Sequence, residues 1–244
     1  DMPVVVVTRT EPGASETAAH LTQLGHDVIK APALEIVSRE IEPGWEPEPG
    51  EKLIFTSMNG VMAYLDAGWS TDHFAVCVGP ATSEAAALGG FTDTFNADGN
   101  SDQLVFCIQE MFEPGKDRFV HFANDAAAGE VCRRLGESGF DVRFVPLSST
   151  RNVDWEEVRH AWSCTAGSRF ILLVHSAKAA NAISRWIEQS GTDLSTSALV
   201  AISERSASPL KTLNWHCVYI ADEPNEVKLT EALQKAVEAG VSSG

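Results

Sequence analysis

Short apolar runs alternate with helical patterns along most of the chain, and this alternation limits the possible fold more than any other feature. The run Val4–Val7 contains no polar residue, which is typical of a strand covered on both faces. Residues 15–24 follow with the spacing of a helix, and Gly25 is its stop. The alternation continues with strands predicted at 28–29, 53–55 and 75–78 and helices at 61–65 and 82–88. The sequence therefore predicts an α/β protein with parallel sheets flanked by helices.

The alternating pattern occurs twice. Matching residues recur 114 positions apart near the start of the chain and 119 and 124 positions apart further along. The clearest matches are Leu21 with Leu135, Gly25 with Gly139, Asp27 with Asp141, Ser57 with Ser176, and Asp98 with Asp222. Any two α/β units share some patterning by chance, but the cluster Leu-x-x-x-Gly-x-Asp-Val is hard to dismiss. We predict two similar halves, at roughly 4–112 and 118–238.

The charge balance excludes two classes of partner. The chain has 18 Lys and Arg residues against 34 Asp and Glu residues, a formal net charge of −16. This charge disfavours nucleic acid and anionic membrane surfaces, although a few cations focused in one cleft can still bind an anionic ligand. No apolar stretch reaches the length of a membrane helix, and the N-terminus lacks the features of a signal peptide. A cytoplasmic protein is expected.

The cysteines and histidines do not form a recognisable site. The five cysteines are widely spaced without a Cys-x-x-Cys pair, so neither a disulfide framework nor a zinc site is predicted. They are interpreted as small buried apolar residues. His121 and His175 lie within or at the end of apolar runs and are interpreted as hydrogen-bonded structural residues. The sequence predicts no metal site.

Two segments have the character of connectors between lobes. Residues 35–51 contain six Glu and three Pro residues, which predicts an exposed, extended connector and not a helix. Residues 148–153 are short and polar and stand at the matching place in the second half. Two connectors suggest two lobes joined by two crossings, and a cleft between lobes is the default place for a ligand.

The turns after the strands are the places where such a fold binds ligands. Backbone N–H groups at helix N-termini face anions there. The turns that stand out are 8–10, 56–60, 79–82, 175–178 and 203–206. Ordinary helix capping by Ser, Thr and Asn explains any single one of them. No Walker A motif, dinucleotide fingerprint, nucleophile elbow or nucleophile–base pair is present.

Several motifs taken in order resemble the uroporphyrinogen-III synthase family. They are Val-Val-Val-Thr-Arg at 5–9, Leu-Gly-His-Asp-Val at 24–28 with Pro32, Ile-Phe-Thr-Ser-Met-Asn-Gly-Val at 54–61, and Val-Gly-Pro-Ala-Thr at 78–82 with Gly90 and Phe91. No single motif is decisive, but their joint order and spacing cover essentially the whole chain.

The resemblance implies two flavodoxin-like α/β lobes joined by a two-stranded linker. Residues 1–37 and 151–244 form the first, discontinuous lobe and residues 38–150 the second, with linkers near 33–40 and 145–152. The implied reaction is cyclisation of hydroxymethylbilane, with inversion of ring D and loss of water, in the cleft between the lobes. No metal or organic cofactor is implied. The expected partners are the small-molecule substrate and, transiently, hydroxymethylbilane synthase, and a monomer is expected.

The implied substrate site draws on the turns described above. Its predicted binding residues are Arg9, Ser57, Met58, Asn59, Gly79, Thr82, Asn124, Ser176, Lys178, Arg205 and Ser206. No catalytic residue is assigned, and Thr82 and Ser148 are only weak candidates. Arg9, Lys178 and Arg205 supply positive charge for a substrate with eight carboxylates.

The chain also departs from the family pattern. Ser148 stands where the family usually has a Tyr, and residues 126–129 read Ala-Ala-Ala-Gly where an Arg is common early in a helix. Ser-Glu-Arg at 203–205 replaces a usual Gly-Pro. A phenol that could assist departure of the substrate hydroxyl is thus missing. The alternative is a non-catalytic bilobal protein that binds or senses a tetrapyrrole or another anion with the same fold.

Overall fold

The computed structural model describes residues 2–165 and 167–241. The chain divides into two compact units. Residues Asp1–Ile36 and Arg151–Gly244 form the first, named here the discontinuous unit, and Val37–Thr150 form the second, named the continuous unit. None of the helices in the described part of the chain has the length and apolar character that crossing a bilayer requires.

The described residues form eleven strands and nine α-helices. The strands are β1 (Val4–Val7), β2 (Asp27–Lys30), β3 (Leu34–Ser38), β4 (Lys52–Phe55), β5 (Ala75–Cys77), β6 (Thr94–Asn96), β7 (Arg118–Asn124), β8 (Asp141–Asn152), β9 (Phe170–Val174), β10 (Ala198–Ala201) and β11 (Cys217–Ile220). The helices are α1 (Gly13–Gln23), α2 (Met58–Asp66), α3 (Pro80–Leu88), α4 (Ser101–Met111), α5 (Glu130–Glu137), α6 (Trp155–Ser163), α7 (Ala177–Ser190), α8 (Glu204–Ala207) and α9 (Glu226–Val241).

The strands form two sheets with the same core order. The five-stranded sheet runs β11-β10-β9-β1-β2, and the six-stranded sheet runs β6-β5-β4-β7-β8-β3. All four pairings of the first sheet are parallel, as are the pairings of β4, β5, β6, β7 and β8 in the second. Each strand matched by the sequence repeat occupies the position of its counterpart, β1 with β7 and β9 with β4 among them. This is the α/β architecture that the sequence predicts.

The central strands are buried on both faces, as their unbroken apolar sequences predict. In β1, Val6 packs into one core cluster, whereas Val5 and Val7 pack into the cluster on the opposite face. In β4, Ile54 is separated in the same way from Leu53 and Phe55. Because successive strand residues point to opposite faces, helices must cover both sides of each sheet.

The two segments predicted as connectors are extended over much of their length, as expected. Residues 148–152 are the end of the twelve-residue strand β8, and the segment 35–51 begins within strand β3 before its irregular part. One local expectation differs from the structure. Residues 126–129 do not begin a helix, since a 3-10 turn spans Asp125–Ala127 and α5 starts only at Glu130.

The cysteines also differ from their interpretation. All five are free, but only Cys77 is buried, and Cys164 is exposed. Single cysteines are too small for their hydrophobicity to fix their depth, so spacing alone does not predict burial.

Candidate active site

The strands of the five-stranded sheet end at one edge, named here the carboxyl edge of the discontinuous unit. Ser176 precedes α7 in extended backbone, and its Oγ accepts a hydrogen bond of 3.1 Å from the Ala179 N–H. Ser203 and Ser206 bond to each other in a capping box at α8. Ser206 also donates its hydroxyl proton to the Ser203 carbonyl and is only 2% exposed. The predicted ligand Ser206 is therefore used inside its own turn, whereas Ser176 keeps its proton.

Two predicted cations occupy corresponding positions at this edge. Lys178 is the second residue of α7 and Arg205 the second residue of α8, and their preceding strands, β9 and β10, are neighbours. Both side chains are exposed. Within the described residues neither has a carboxylate at ion-pair distance, so both charges are available to an anion.

The third predicted cation, Arg9, is in a different state. Its Nη1 lies 3.8 Å from Glu226 Oε1 and donates to Thr17 Oγ1 at 3.3 Å. The side chain also lies so close over Gly13 that a Cβ there would come within 2.5 Å of Arg9 Nε. Arg9 is thus held against α1, with its charge offset by Glu226.

Glu226 also binds His175. The His175 Nε2 lies 2.8 Å from Glu226 Oε1, and because a carboxylate only accepts, Nε2 must carry a proton. This bond and the nearby Arg9 guanidinium hold the pKa of Glu226 below its usual range, against the effect of partial burial. His175 is the structural histidine that the sequence predicts, but its buried Nδ1 has no partner among the described residues.

The carboxyl edge of the continuous unit repeats the caps without the charges. Ser57 Oγ accepts from the Gly60 N–H at 3.1 Å, in nearly the backbone geometry of Ser176. Met58 and Asn59 follow it, exposed, in the first turn of α2. Gly79 precedes α3, and Thr82 lies in the first turn of that helix, only 4% exposed.

Asn124 links the end of β7 to β8. Its Nδ2 donates to Ser148 Oγ at 3.1 Å and to Thr150 Oγ1 at 3.0 Å, while its Oδ1 accepts from the Ala126 N–H. Ser148 and Thr150 therefore receive a hydrogen bond from the protein and keep their own protons for an acceptor. Ser148 is 5% exposed, so only a small part of its surface can contact a ligand.

The sequence missed another polar pair at this edge. Thr56 Oγ1 lies 2.8 Å from Nε2 of His121, which is 1% exposed. Burial lowers the pKa of His121 to about 4, so the ring is neutral at physiological pH. The only sequence signal was one polar residue inside the apolar run of β7.

The cations of the continuous unit are all engaged elsewhere. Arg39 stacks on Trp45, and the other six contact carboxylates: Lys52 with Asp117, Lys116 with Glu113, Arg118 with Glu48, Arg133 with Glu137, Arg134 with Asp102, and Arg143 with Glu51. Hydroxyl and amide donors are therefore what this unit's carboxyl edge offers an anion.

A cavity of about 560 Å³ in the discontinuous unit opens near the ends of β1 and β2, lined among others by Thr10, Lys30 and Arg151. Arg151 is neutralised there by Glu35 and Glu157, and its hydrogen bonds lower the pKa of Glu157 to about 2. A larger cavity of about 830 Å³ lies at the opposite edge, where β9 begins, and contains none of the predicted site residues.

The described residues contain no cluster of three His, Cys, Asp or Glu side chains placed to hold a metal ion. The described side chains offer hydrogen-bond donors at both carboxyl edges and positive charge at the edge of the discontinuous unit. Thr56 and His121 are a hydroxyl and an imidazole in contact at the continuous edge, but the ring is 1% exposed.

Comparison with known proteins agrees with this architecture. The crystal structure of uroporphyrinogen-III synthetase from Helicobacter pylori 26695 matches with a TM-score of 0.64 and 16% identity, over 96% of this chain and 99% of that one. A mutant uroporphyrinogen III synthase from the extremely thermophilic bacterium Thermus thermophilus matches with a TM-score of 0.50 and 14% identity, over 98% of this chain and 100% of that one. A search of curated proteins finds no match. At these identities the structures establish the fold class, a two-lobed parallel α/β protein.

The family comparison is more specific. The model of the family described as uroporphyrinogen-III synthase HemD matches residues 15–231, which is most of the sequence. The chain belongs to the uroporphyrinogen-III synthase family. Members of this family are cyclising lyases of tetrapyrrole biosynthesis that act on a small-molecule substrate.

Proposed function

We propose that this chain cyclises hydroxymethylbilane to uroporphyrinogen III, with inversion of ring D and loss of water. The family match over residues 15–231 carries the proposal. The site chemistry supports it, because the substrate carries eight carboxylates and both carboxyl edges present hydrogen-bond donors.

The two edges have different tasks in this proposal. Lys178 and Arg205 bind substrate carboxylates through charge-assisted hydrogen bonds. Ser57, Ser148 and Thr150 donate hydroxyl protons to further substrate oxygens, since each of their oxygens already accepts a bond from the protein. Arg9 has a smaller part, because Glu226 offsets its charge.

Catalysis here is control of conformation. The substrate loses its hydroxyl to give a stabilised cation and closes without an enzyme to the uninverted isomer. The protein must therefore hold the chain in the geometry that leads to inversion and disfavour direct closure, which is a positioning effect. Such an effect is distributed over many donors. Ser148 in place of the family Tyr therefore costs one contact and leaves the mechanism intact.

We propose further that the protein acts as a monomer in the cytoplasm and receives its substrate directly from hydroxymethylbilane synthase. Rapid transfer is favoured because free hydroxymethylbilane closes spontaneously to the wrong isomer. The five free cysteines support a reducing compartment, because secreted proteins commonly pair theirs.

A coupled assay tests the function. Porphobilinogen and hydroxymethylbilane synthase generate the substrate, and isomers I and III are separated after oxidation. The expected result is isomer III in excess, at a rate that rises with the amount of this protein. Formation of isomer I alone at micromolar protein, beside a working control synthase, would favour the non-catalytic binding protein.

A further inference from the structure

His121 is a polar residue in a fully buried position, where its hydrogen bonds do not satisfy both ring nitrogens. It lies in the middle of β7, paired with Ile54 of β4 and Phe144 of β8, and is 1% exposed. Its Nε2 reaches Thr56 Oγ1 at 2.8 Å, and its Nδ1 has no partner among the described residues. A buried polar atom without a partner costs about 1–3 kcal/mol. A phenylalanine or leucine would avoid that cost, so the ring invites a functional explanation.

Among the described residues, Thr56 is the polar side chain that the ring reaches. It follows β4 directly, lies at the carboxyl edge of the continuous unit, and is half-buried. The next residue, Ser57, is the N-cap of α2 and a predicted substrate ligand. A hydrogen bond from the core thus fixes the side chain next to the predicted site.

The unpartnered Nδ1 indicates which group donates. The neutral ring has one N–H. If that proton is on Nε2, the ring donates to Thr56 and leaves an unpaired lone pair at Nδ1. If it is on Nδ1, Thr56 donates to the ring and a buried N–H is left unpaired. Buried N–H groups without a partner are rarer than under-used acceptors, which favours the proton on Nε2.

We propose that His121 is a positioning residue that holds Thr56 as a hydrogen-bond donor to an oxygen of the substrate. With its oxygen bonded to the His121 Nε2–H, the Thr56 hydroxyl proton turns away from the core. No proton is transferred to or from the ring, whose burial keeps it neutral. The predicted list of binding residues omits both, although Thr56 lies in the predicted turn 56–60. The proposal rests on the proposed function for the identity of the substrate.

A double-mutant cycle tests the coupling. Thr56→Val removes the donor and His121→Met removes the ring with an apolar side chain that adapts to the gap. Each single variant is expected to lower kcat/KM for isomer III by roughly tenfold, the value of one hydrogen bond. The double variant is expected to be no slower than Thr56→Val alone. His121→Gln, which keeps a donor of similar reach, should restore most of the rate.

Controls separate positioning from stability. Unfolding in urea shows that every variant is folded under assay conditions, and Thr94→Val, at the amino end of the same sheet, should leave kcat/KM unchanged. If the losses of the two single variants multiply in the double variant, His121 acts through packing and the proposal is wrong. It is equally wrong if Thr56→Val retains full kcat/KM.

Nitrogen NMR gives a readout independent of the reaction. With 15N-labelled histidine, the ring of His121 should show a protonated Nε2 and an unprotonated Nδ1 at neutral pH. A proton on Nδ1 would contradict the proposal. If the wild-type protein forms only isomer I, the proposed function fails, but the nitrogen spectrum still tests the His121–Thr56 bond. Affinity for uroporphyrin III then replaces kcat/KM in the cycle.

Discussion

The two units share a strand order but differ in the chemistry of their carboxyl edges. The discontinuous unit has 11 Lys and Arg residues against 16 Asp and Glu residues, a net charge of −5, and the continuous unit has 7 against 18, a net charge of −11. The contrast is local as well. Lys178 and Arg205 occupy the second position of their helices, where the matching residues of the continuous unit are Asn59 and Ala81.

This comparison separates what the fold requires from what the ligand requires. The N-caps Ser57 and Ser176 are kept in both units with the same bond and nearly the same backbone angles, because any helix starting there needs its N–H groups satisfied. The side chains two positions later are not needed to cap the helix. Because only the discontinuous unit carries charge at those positions, we propose that its edge binds the substrate carboxylates.

The largest expected effect is loss of Lys178 and Arg205 at the carboxyl edge of the discontinuous unit. Lys178→Ala combined with Arg205→Ala should weaken binding of uroporphyrin III by roughly a hundredfold to ten-thousandfold, because each charge-assisted bond contributes about 1.5–3 kcal/mol. Titration of porphyrin absorbance at low salt measures it. Lys235→Ala, an exposed cation of α9 in the same unit, is the matched control and should bind normally. Equal affinities for all variants would remove the charge contrast as an explanation.

The next effect concerns the buried histidine of the continuous unit. Burial lowers the pKa of His121 to about 4, so between that value and about 6.5 the unfolded chain binds a proton that the folded chain does not. The free energy of unfolding should therefore fall as the pH drops through this range, by up to about 3 kcal/mol from this group.

Urea unfolding of the wild type and His121→Met at pH 7, 5.5 and 4.5 isolates the contribution. The wild type should lose more stability on acidification than the variant, because only the wild type carries this ring. Parallel pH profiles would show that folding does not lower the pKa of His121.

A smaller effect on the free energy of unfolding is expected three residues after the N-caps Ser57 and Ser176. A Cβ at Gly60 would lie 2.8 Å from the Phe122 carbonyl oxygen, so Gly60→Ala should destabilise by about 1–3 kcal/mol through forced backbone movement. The matching residue of α7 is already Ala179. Ala179→Gly should cost only about 1 kcal/mol, mainly from helix propensity. Urea unfolding compares the two, and a neutral Gly60→Ala would mean that α2 can move away from β7 freely.

Much of the fold could be predicted because it depends on repeated local signals. The apolar run of β1, the helix stop at Gly25 and the serine caps each determine structure through their immediate neighbours. The strand character of Ser148, Ser149 and Thr150 came from the family resemblance and not from the residues themselves, because they are polar and pairing with a neighbouring strand is not a local property.

The candidate site was less predictable than the fold for the same reason. Lys178 and Arg205 could be placed from their turns alone. The engagement of Arg9 depends on Glu226, which lies 217 positions away in sequence, and the contact of Thr56 depends on His121. Only the packed sheets bring these pairs together. A motif therefore predicts the backbone position of a side chain. Tertiary contacts determine whether its charge is neutralised and whether its hydroxyl proton is available to a ligand.

Relocating the two charges tests the central claim most directly. A variant with Lys178→Asn, Arg205→Ala, Asn59→Lys and Ala81→Arg keeps the net charge of −16 and exchanges only the edge that carries the cations. The measurement is its rate of isomer III formation and its affinity for uroporphyrin III, beside the wild type and with folding checked by urea unfolding. The account predicts that both fall about as far as in the double alanine variant. If the variant binds uroporphyrin III with wild-type affinity, only the net charge matters and the proposed role of the discontinuous unit's edge is contradicted.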